Sequence, residues 1–206
     1  MGVLEDKGRA RTFYRYLSQV YDQVNKLVWT TEMRDAAIDM VGIEPDDKVL
    51  DVGCGTGFAT EGLLKHTGDV VGLDQSVHQL EQAWEKLGKH DPVAFSLGDA
   101  ERLPFADASF DVVWSSGSIE YWPNPVAALE ELRRVAKPGA PVLVVGPNYP
   151  QNRLAQRVAD AIMLFYDEEE AERMFQEAGF TDATHRIMGP SHWPNAAIVT
   201  LAFAPE

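Results

Sequence analysis

Cysteine is almost missing from this chain, which has one such residue, Cys54, among 206. One cysteine excludes an internal disulfide and offers no cysteine cluster to a metal ion, so we expect no metal site. The sequence also lacks an apolar run of the roughly 18 residues that a membrane-spanning helix needs, and it lacks a charged-then-apolar leader. We therefore expect a soluble, cytoplasmic protein.

Positive charge is scarce as well. The 18 Lys and Arg side chains are outnumbered by 32 Asp and Glu side chains, which gives a formal net charge of -14. Because nucleic-acid phosphates are bound by Lys and Arg patches, this balance argues against DNA or RNA as a partner. The length suits one substantial core, and we expect a single domain.

Two common nucleotide-binding patterns are absent. The pattern G-x-G-x-x-G would need glycine at Phe58 or at Thr60, depending on the frame, and the Lys-Ser/Thr ending of a phosphate loop does not occur. A nicotinamide oxidoreductase is therefore disfavoured. What is present is a glycine at every second position after the apolar stretch Val49 to Val52, namely Gly53, Gly55 and Gly57.

Two carboxylates extend this glycine pattern. Asp74 and Asp99 stand at or just after the ends of the next two predicted strands. Glycine lets the backbone turn tightly and approach a ligand, and ligands of open α/β sheets bind outside the carboxyl ends of the strands. These residues therefore predict a nucleoside-binding crevice.

The rest of the chain alternates between strand and helix patterns, which favours a largely parallel sheet covered on both faces. A helix is expected over Thr60 to His66, and Ser76 and Gln79 are typical of a capping box at the start of another. A further helix follows Pro125, and Phe13 to Met40 is expected to form helical segments, a plausible lid. The predicted strands are Val49 to Val52, Val70 to Leu73, Val93 to Leu97, Phe110 to Ser115, Val142 to Val145, Thr184 to Met188 and Ala197 to Ala204.

The motif D-x-G-x-G-x-G resembles motif I of the class I S-adenosylmethionine (SAM) dependent methyltransferases, and GDAERLPFADASFDVVWSS resembles their later motifs. The resemblance implies an α/β, Rossmann-like, seven-stranded sheet, mostly parallel, with the last strand antiparallel and helices on both faces. It implies one SAM-dependent methyltransferase domain over residues 1–206, with a helical lid over 1–45 and the core over 46–206. The cofactor would be SAM, and its product S-adenosylhomocysteine.

A narrower resemblance covers most of the chain. The segments LDQSVHQL, GSIEYWPNP, GPNYP and MLFYDEEEAERMFQEAGFTD look like those of methyltransferases that act on 2-methyl-6-phytyl- and 2-methyl-6-solanesyl-benzoquinol. Related ubiquinone and menaquinone methyltransferases carry a Y-D-x-x-N element, which appears here as Tyr21, Asp22 and Asn25. This similarity implies C-methylation of a prenylated quinol ring. A menaquinol-type or other isoprenoid quinol is as admissible as the plant substrate.

Each part of the cofactor then has candidate contacts. Asp51 would orient the glycine loop or face the ammonium of the methionine moiety through water, with a turn carboxylate as the alternative. Asp74 would accept the two ribose hydroxyls. Gln75 would flank the adenine, whose edge would meet Asp99 and Ala100. Ser115 and Ser116 would line the methionine end, while Cys54 suits the loop by its small size. The complete predicted cofactor set is Tyr21, Asp51, Gly53, Cys54, Gly55, Gly57, Asp74, Gln75, Asp99, Ala100, Ser115 and Ser116.

Methylation of a quinol carbon benefits from a general base that removes a ring-hydroxyl proton. Glu120 is the first candidate, with a capping or surface carboxylate as the alternative. Tyr121 stands beside it, where its ring could stack on a quinol or face the sulfonium. His185 is a weaker catalytic candidate that can equally be structural.

Two further expectations concern the isoprenoid tail and the membrane. The apolar face from Leu154 to Phe165 could guide the tail, or could simply pack on the sheet. Five arginines could make weak peripheral contact with an anionic bilayer, which the net charge opposes. They are Arg9, Arg11, Arg15, Arg153 and Arg157.

Two other functions remain open at this point. The chain could methylate another small acceptor, such as an amine, a thiol or a different phenol. It could also bind SAM or a nucleoside without turnover, because the motifs encode binding more directly than catalysis.

Overall fold

The structure is a computed structural model that describes residues 29–89, 93–149 and 166–206. Its strands are β1 (Lys48–Val52), β2 (Asp69–Asp74), β3 (Ala94–Leu97), β4 (Val112–Ser116), β5 (Pro141–Pro147), β6 (Thr184–Met188) and β7 (Ala197–Phe203). Its helices are α1 (Thr31–Val41), α2 (Phe58–Leu63), α3 (Val77–Leu87), α4 (Pro125–Val135) and α5 (Glu168–Glu177), with a 3-10 helix over Ile119–Tyr121. All seven predicted strands are confirmed, with ends that differ by at most two residues.

The strands form one sheet in the order β3-β2-β1-β4-β5-β7-β6. β1 pairs in parallel with β2 on one side and with β4 on the other, whereas β7 runs antiparallel to both β5 and β6. The predicted antiparallel last strand is therefore confirmed. Because strand order reverses between β1 and β4, the crevice for a ligand lies at the carboxyl ends of these two strands.

Apolar side chains cover both faces of the sheet, as expected for parallel strands flanked by helices. On one face Leu50 and Val113 pack with residues of α4 and α5, including Leu132 and Phe175. On the other face Trp114 packs among residues of α1 and α2, together with Val49, Leu143, Ile38 and Leu63. Neighbouring residues of β4 thus enter opposite cores, and the two cores hold the carboxyl ends of β1 and β4 in place.

Helix α1 belongs to the second core. It begins after Thr30, whose hydroxyl accepts the Met33 N–H at 3.4 Å, and it buries Met33 and Ile38. The buried Arg34 donates to the Phe58 carbonyl oxygen at 2.9 Å and thereby ties α1 to α2. The described part of the expected lid is therefore packed on the sheet. Residues 1–28 lie outside the described residues.

Two local predictions need correction. The helix expected over Thr60 to His66 runs from Phe58 to Leu63, because Gly57, with a φ of 81°, already precedes its first turn. The Ser76 hydroxyl accepts the Gln79 N–H at 3.4 Å, but the Gln79 Oε1 has no partner among the described residues, so the capping box is only half formed. A complete capping box, which the sequence reasoning missed, joins Asp167 and Glu170 at the start of α5. Within the described ranges, no helix has the length and apolar character required to cross a membrane.

Candidate cofactor and catalytic site

The glycine loop between β1 and α2 borders an open space at its middle residue. All three glycines have positive φ, at 74°, 54° and 81° for Gly53, Gly55 and Gly57. A Cβ at position 53 would overlap the Ser118 hydroxyl, and one at position 57 would come 2.7 Å from Leu87 Cδ1, whereas one at position 55 would meet nothing within 4 Å. Gly53 and Gly57 therefore serve internal packing, and the backbone at Gly55 is open to a ligand.

Cys54 is a packing residue in this loop. Its thiol is buried, and its N–H donates to the Leu73 carbonyl oxygen at 3.0 Å. Burial raises the pKa of the thiol, and the charges of Asp51 and Asp74 raise it further. Since the thiolate is the reactive form, this environment excludes a nucleophilic role and suits the small-residue interpretation.

Asp51 is a buried carboxylate with one oxygen that has no hydrogen-bond partner among the described residues. The residue is only 1% exposed, its Oδ2 accepts the Thr60 hydroxyl at 2.6 Å, and its Oδ1 has no partner among the described residues. Burial raises the pKa of Asp51 to about 7, opposed by the Thr60 hydrogen bond and assisted by the charge of Asp74. A buried carboxylate oxygen without a partner is costly unless a ligand donates to it, so Asp51 fits the predicted role toward an ammonium group.

Asp74 links the glycine loop to α3. Its Oδ2 accepts the Gly55 N–H at 2.9 Å, and its Oδ1 accepts the Ser76 N–H at 2.8 Å. Burial raises the pKa of Asp74, while these backbone bonds lower it. A carboxylate has about four acceptor sites, so each oxygen keeps one for a ribose hydroxyl. Gln75 is exposed beside it.

The loop after β3 carries the adenine candidates. Asp99 is exposed and accepts the Glu101 N–H through Oδ1 at 3.1 Å, whereas Ala100 is buried. Helix α4 is bonded to this loop, because the Glu131 Oε2 accepts the Leu103 N–H at 2.7 Å. Arg134, which pairs with the same Glu131, donates to the Leu103 carbonyl oxygen at 3.1 Å. Neither α4 residue was predicted, since their sequence context is an ordinary helix.

Glu120 lies in the 3-10 turn directly after β4. It is 2% exposed, and its Oε2 has no partner among the described residues. Burial raises the pKa of Glu120 to about 7. The alternative of a surface carboxylate is therefore wrong, and no side chain caps this turn. A buried carboxyl group with a pKa of about 7 and one oxygen without a partner among the described residues has the properties required of a general base.

The residues around Glu120 differ in how they are engaged. Tyr121 is half-buried in the same turn. The Ser116 hydroxyl accepts the Trp114 indole N–H at 3.1 Å, whereas the fully buried Ser115 hydroxyl has no partner in the described ranges. Both serines therefore stand at the end of β4 as predicted, but only Ser116 is partly exposed. Tyr21 lies outside the described residues.

Both ring nitrogens of His185 are engaged within the protein, which argues against its predicted place in the catalytic group. Its Nδ1 is 2.9 Å from the Thr200 Oγ1, and its Nε2 is 2.8 Å from the Glu172 Oε2. The hydrogen bond from His185 lowers the pKa of Glu172. With both ring nitrogens engaged, His185 holds α5 against β6 and β7, which is the structural interpretation of a lone histidine.

Three residues near Glu120 were not in the predicted set of site residues. Ser118 accepts the Trp122 indole N–H at 2.9 Å, and both side chains are buried. The Tyr166 hydroxyl donates to the Ile119 carbonyl oxygen at 3.4 Å, and both burial and the charge of Glu120 raise the pKa of Tyr166. Tyr166 and Trp122 lie inside segments that already resembled the family, so that similarity was the available signal. Ser118 lies in the same segment as Trp122, but that similarity did not reveal its contact with Gly53, which only the fold shows.

Comparison with known proteins agrees with this geometry. Residues 50–144 match a family model described as a methyltransferase domain. The chain is 44% identical over 191 residues to 2-methyl-6-phytyl-1,4-hydroquinone methyltransferase 1, chloroplastic, of Oryza sativa subsp. japonica, a match that covers 91% of this chain and 58% of the rice protein. It is 29% identical to the demethylmenaquinone methyltransferase of Staphylococcus aureus, with 88% of each protein covered.

A solved structure shares the fold. A Haloferax volcanii chain from a complex with the Trm112 methyltransferase activator superposes with a TM-score of 0.77 at 24% identity, covering 96% of this chain and 98% of that one. This likeness establishes the architecture alone. The chain spans little more than half the length of the rice relative.

Proposed function

We propose that this chain, which is similar to class I SAM-dependent methyltransferases, transfers a methyl group from SAM to a ring carbon of an isoprenoid benzoquinol or naphthoquinol. The observation that carries this proposal is the identity of 44% to a phytyl-hydroquinone methyltransferase across 91% of the chain. The site supports it, because the same crevice combines an open glycine loop with a buried carboxyl group of pKa near 7.

The residues present fit SAM. The open backbone at Gly55 admits a ligand, the partnerless Oδ1 of Asp51 suits an ammonium group, and Asp74 keeps acceptor sites for two hydroxyls. Asp99 and Ala100, in the loop after β3, are the residues proposed to meet the adenine edge. When bound, SAM supplies an electrophilic methyl group on a sulfonium. The protein's own task is then to position the acceptor and to remove a proton.

Glu120 is the residue proposed to move that proton. Its Oε2 would accept the hydrogen of a ring hydroxyl, because no described residue donates to this oxygen. As the hydroxyl proton passes to the carboxylate, electron density would rise at the ring carbon, which would take the methyl group as the sulfur–methyl bond breaks and S-adenosylhomocysteine leaves. The methylated carbon would then release its own proton to water, so that the ring regains aromaticity, and Glu120 would return its proton to the ring oxygen. Burial of Glu120 serves this step, since a carboxylate of ordinary pKa would be a weaker base.

We propose further that the protein works in the cytoplasm, in weak contact with the inner face of a membrane. The reason is chemical, since a prenylated quinol partitions into a bilayer. The arginines considered for this contact lie outside the described residues, and the net charge of -14 opposes strong adsorption to an anionic surface.

The test is methyl transfer from radiolabelled SAM, under reducing conditions, to benzoquinols and naphthoquinols with and without prenyl tails, alongside simple amines, thiols and phenols. Labelling confined to tailed quinols is the expected result and identifies the ring. Labelling of only the small acceptors would show that the substrate is not a quinol but belongs to another class. Tight SAM binding without any labelling would favour the non-catalytic alternative.

A further inference from the structure

The segment from Ser118 to Asn124, here called the base segment, contains Glu120 near its beginning. It joins the end of β4 to the start of α4. Each end of the base segment contacts a different loop that would bind the cofactor. Proton removal by Glu120 does not require these two contacts, since core packing alone can hold a general base.

The first end contacts the glycine loop. The Ser118 side chain occupies the space that a Cβ at position 53 would need, so the loop can approach the base segment only because residue 53 is glycine. The Ser118 Oγ also accepts the Trp122 indole N–H at 2.9 Å, within the buried interior. A shift of the glycine loop would therefore displace Ser118 and, through it, Trp122.

The second end is bonded to the loop after β3. The Glu101 Oε1 accepts the backbone N–H of Asn124 at 2.9 Å. The backbone N–H of Glu101 in turn donates to the Asp99 Oδ1 at 3.1 Å. Asn124 then caps α4 by accepting the Ala127 N–H at 3.2 Å. The adenine candidate Asp99 is thus two hydrogen bonds away from the end of the base segment.

Between these ends the segment is short and internally bonded. The Tyr121 N–H donates to the Ser118 carbonyl oxygen at 2.9 Å, and the Trp122 N–H donates to the Ile119 carbonyl oxygen at 3.1 Å. The Ile119 side chain packs over Gly146 of β5, where a Cβ would come 2.7 Å from Ile119 Cγ2. These bonds and this packing hold Glu120 in a fixed position relative to both ends of the base segment.

We propose that Ser118 and Glu101 are positioning residues that tie the base segment to the two cofactor loops, so that cofactor binding orders the segment and orients Glu120 for the acceptor. The cofactor would then bind productively before the acceptor does. This inference rests on the proposed function, because it takes these two loops to be the cofactor loops. It adds a coupling between cofactor binding and the orientation of Glu120, which the separate roles of these residues do not include.

The test is hydrogen exchange of the base-segment amides, with S-adenosylhomocysteine as the probe. In the wild type, saturating probe is expected to slow exchange at Tyr121, Trp122 and Asn124 by about five-fold or more. Glu101→Ala should lose most of this protection at Asn124, whereas Glu101→Gln keeps an acceptor oxygen and should restore it. Glu130→Ala, an exposed change on α4, serves as the control and should match the wild type.

Turnover gives the second measurement. Glu101→Ala should lower kcat about five-fold or more, while its Kd for S-adenosylhomocysteine, measured by calorimetry at a saturating protein concentration, changes by a smaller factor. Wild-type exchange that is unaffected by the probe would overturn the coupling, as would full protection and full kcat in Glu101→Ala. Absence of methyl transfer in the wild type would instead count against the proposed function, and the exchange result would still decide the coupling.

Discussion

The crevice at the carboxyl ends of β1, β2 and β4 differs from the edge of the sheet at β6 in how its ionisable groups are satisfied. In the crevice, Asp51 and Glu120 are buried and each leaves one oxygen without a partner among the described residues. At the β6 edge, His185 uses both ring nitrogens on Thr200 and Glu172. Both regions contained residues that the sequence offered as catalytic candidates.

The comparison teaches that residue type does not separate a functional group from a structural one. A buried ionisable side chain with an unused acceptor is a better candidate for a ligand contact than one whose partners already lie in the protein. An unsatisfied buried polar atom costs free energy that folding alone does not recover, so it requires another reason to persist. A ligand that donates to Asp51 and Glu120 would supply that reason. His185 needs no such ligand, because its partners are already in the protein.

The largest effect is expected from Glu120→Gln. The amide keeps the size of the side chain but cannot accept a proton, so kcat should fall by about 10²- to 10⁴-fold. In the wild type, kcat/KM should rise with pH through about 7, because the ionised form of Glu120 is the active one. Near-normal turnover of the variant, with an unchanged pH profile, would remove Glu120 from catalysis. Glu130→Gln is the matched surface control.

The next largest effect is expected at the cofactor. Asp74→Ala removes a carboxylate that has acceptor sites for ribose hydroxyls and also holds the Gly55 and Ser76 N–H groups. Charge-assisted hydrogen bonds contribute roughly 1.5 to 3 kcal/mol each, so the Kd for SAM should rise by about ten-fold or more. Isothermal titration measures this, with the exposed change Asp46→Ala as the control. An unchanged affinity would exclude Asp74 from the ribose site.

Glu120 should also be a source of instability at high pH. Its folded pKa of about 7 lies above the ordinary value of 4.5, so the folded state binds the proton more tightly than the unfolded state does. The resulting stability is fully present below about pH 4 and is lost as pH rises through 7. Glu120→Gln should therefore raise the free energy of unfolding at pH 8, by at most about 3 kcal/mol, and much less at pH 4. Urea unfolding at the two pH values measures the difference, and an equal effect at both would contradict it.

The smallest effect on catalysis is expected from His185→Gln. This change disturbs the hydrogen bonds that join α5 to β6 and β7, so we expect a loss of about 1 kcal/mol in the free energy of unfolding. The kcat for a quinol acceptor should stay within about three-fold of the wild type, since no step uses the imidazole. A large fall in kcat with unchanged stability would show that His185 takes part in catalysis. The proposed contrast between a catalytic Glu120 and a structural His185 would then be wrong.

Much of the fold follows from local patterns in the sequence. The seven strands were predictable because apolar stretches such as Val142 to Val145 are bounded by turn residues such as Pro138 and Gly139. Helix boundaries were less predictable. The shift of α2 and the half-formed capping box at Ser76 depend on where neighbouring backbone and side chains lie, and sequence spacing does not contain that information.

The candidate site also has a part that the sequence predicts and a part that depends on the fold. The sequence by itself determined the glycine loop and the carboxylates at the ends of β1 and β2, because backbone freedom and strand ends are local properties of the chain. Only the tertiary structure decided that Glu120 is buried with one oxygen unpartnered among the described residues, that His185 is paired, and that Ser118 fills the space beside Gly53. Burial and pairing are properties of residues that meet across the fold, and it is these contacts that set the pKa of Glu120 and distinguish it from an ordinary surface carboxylate.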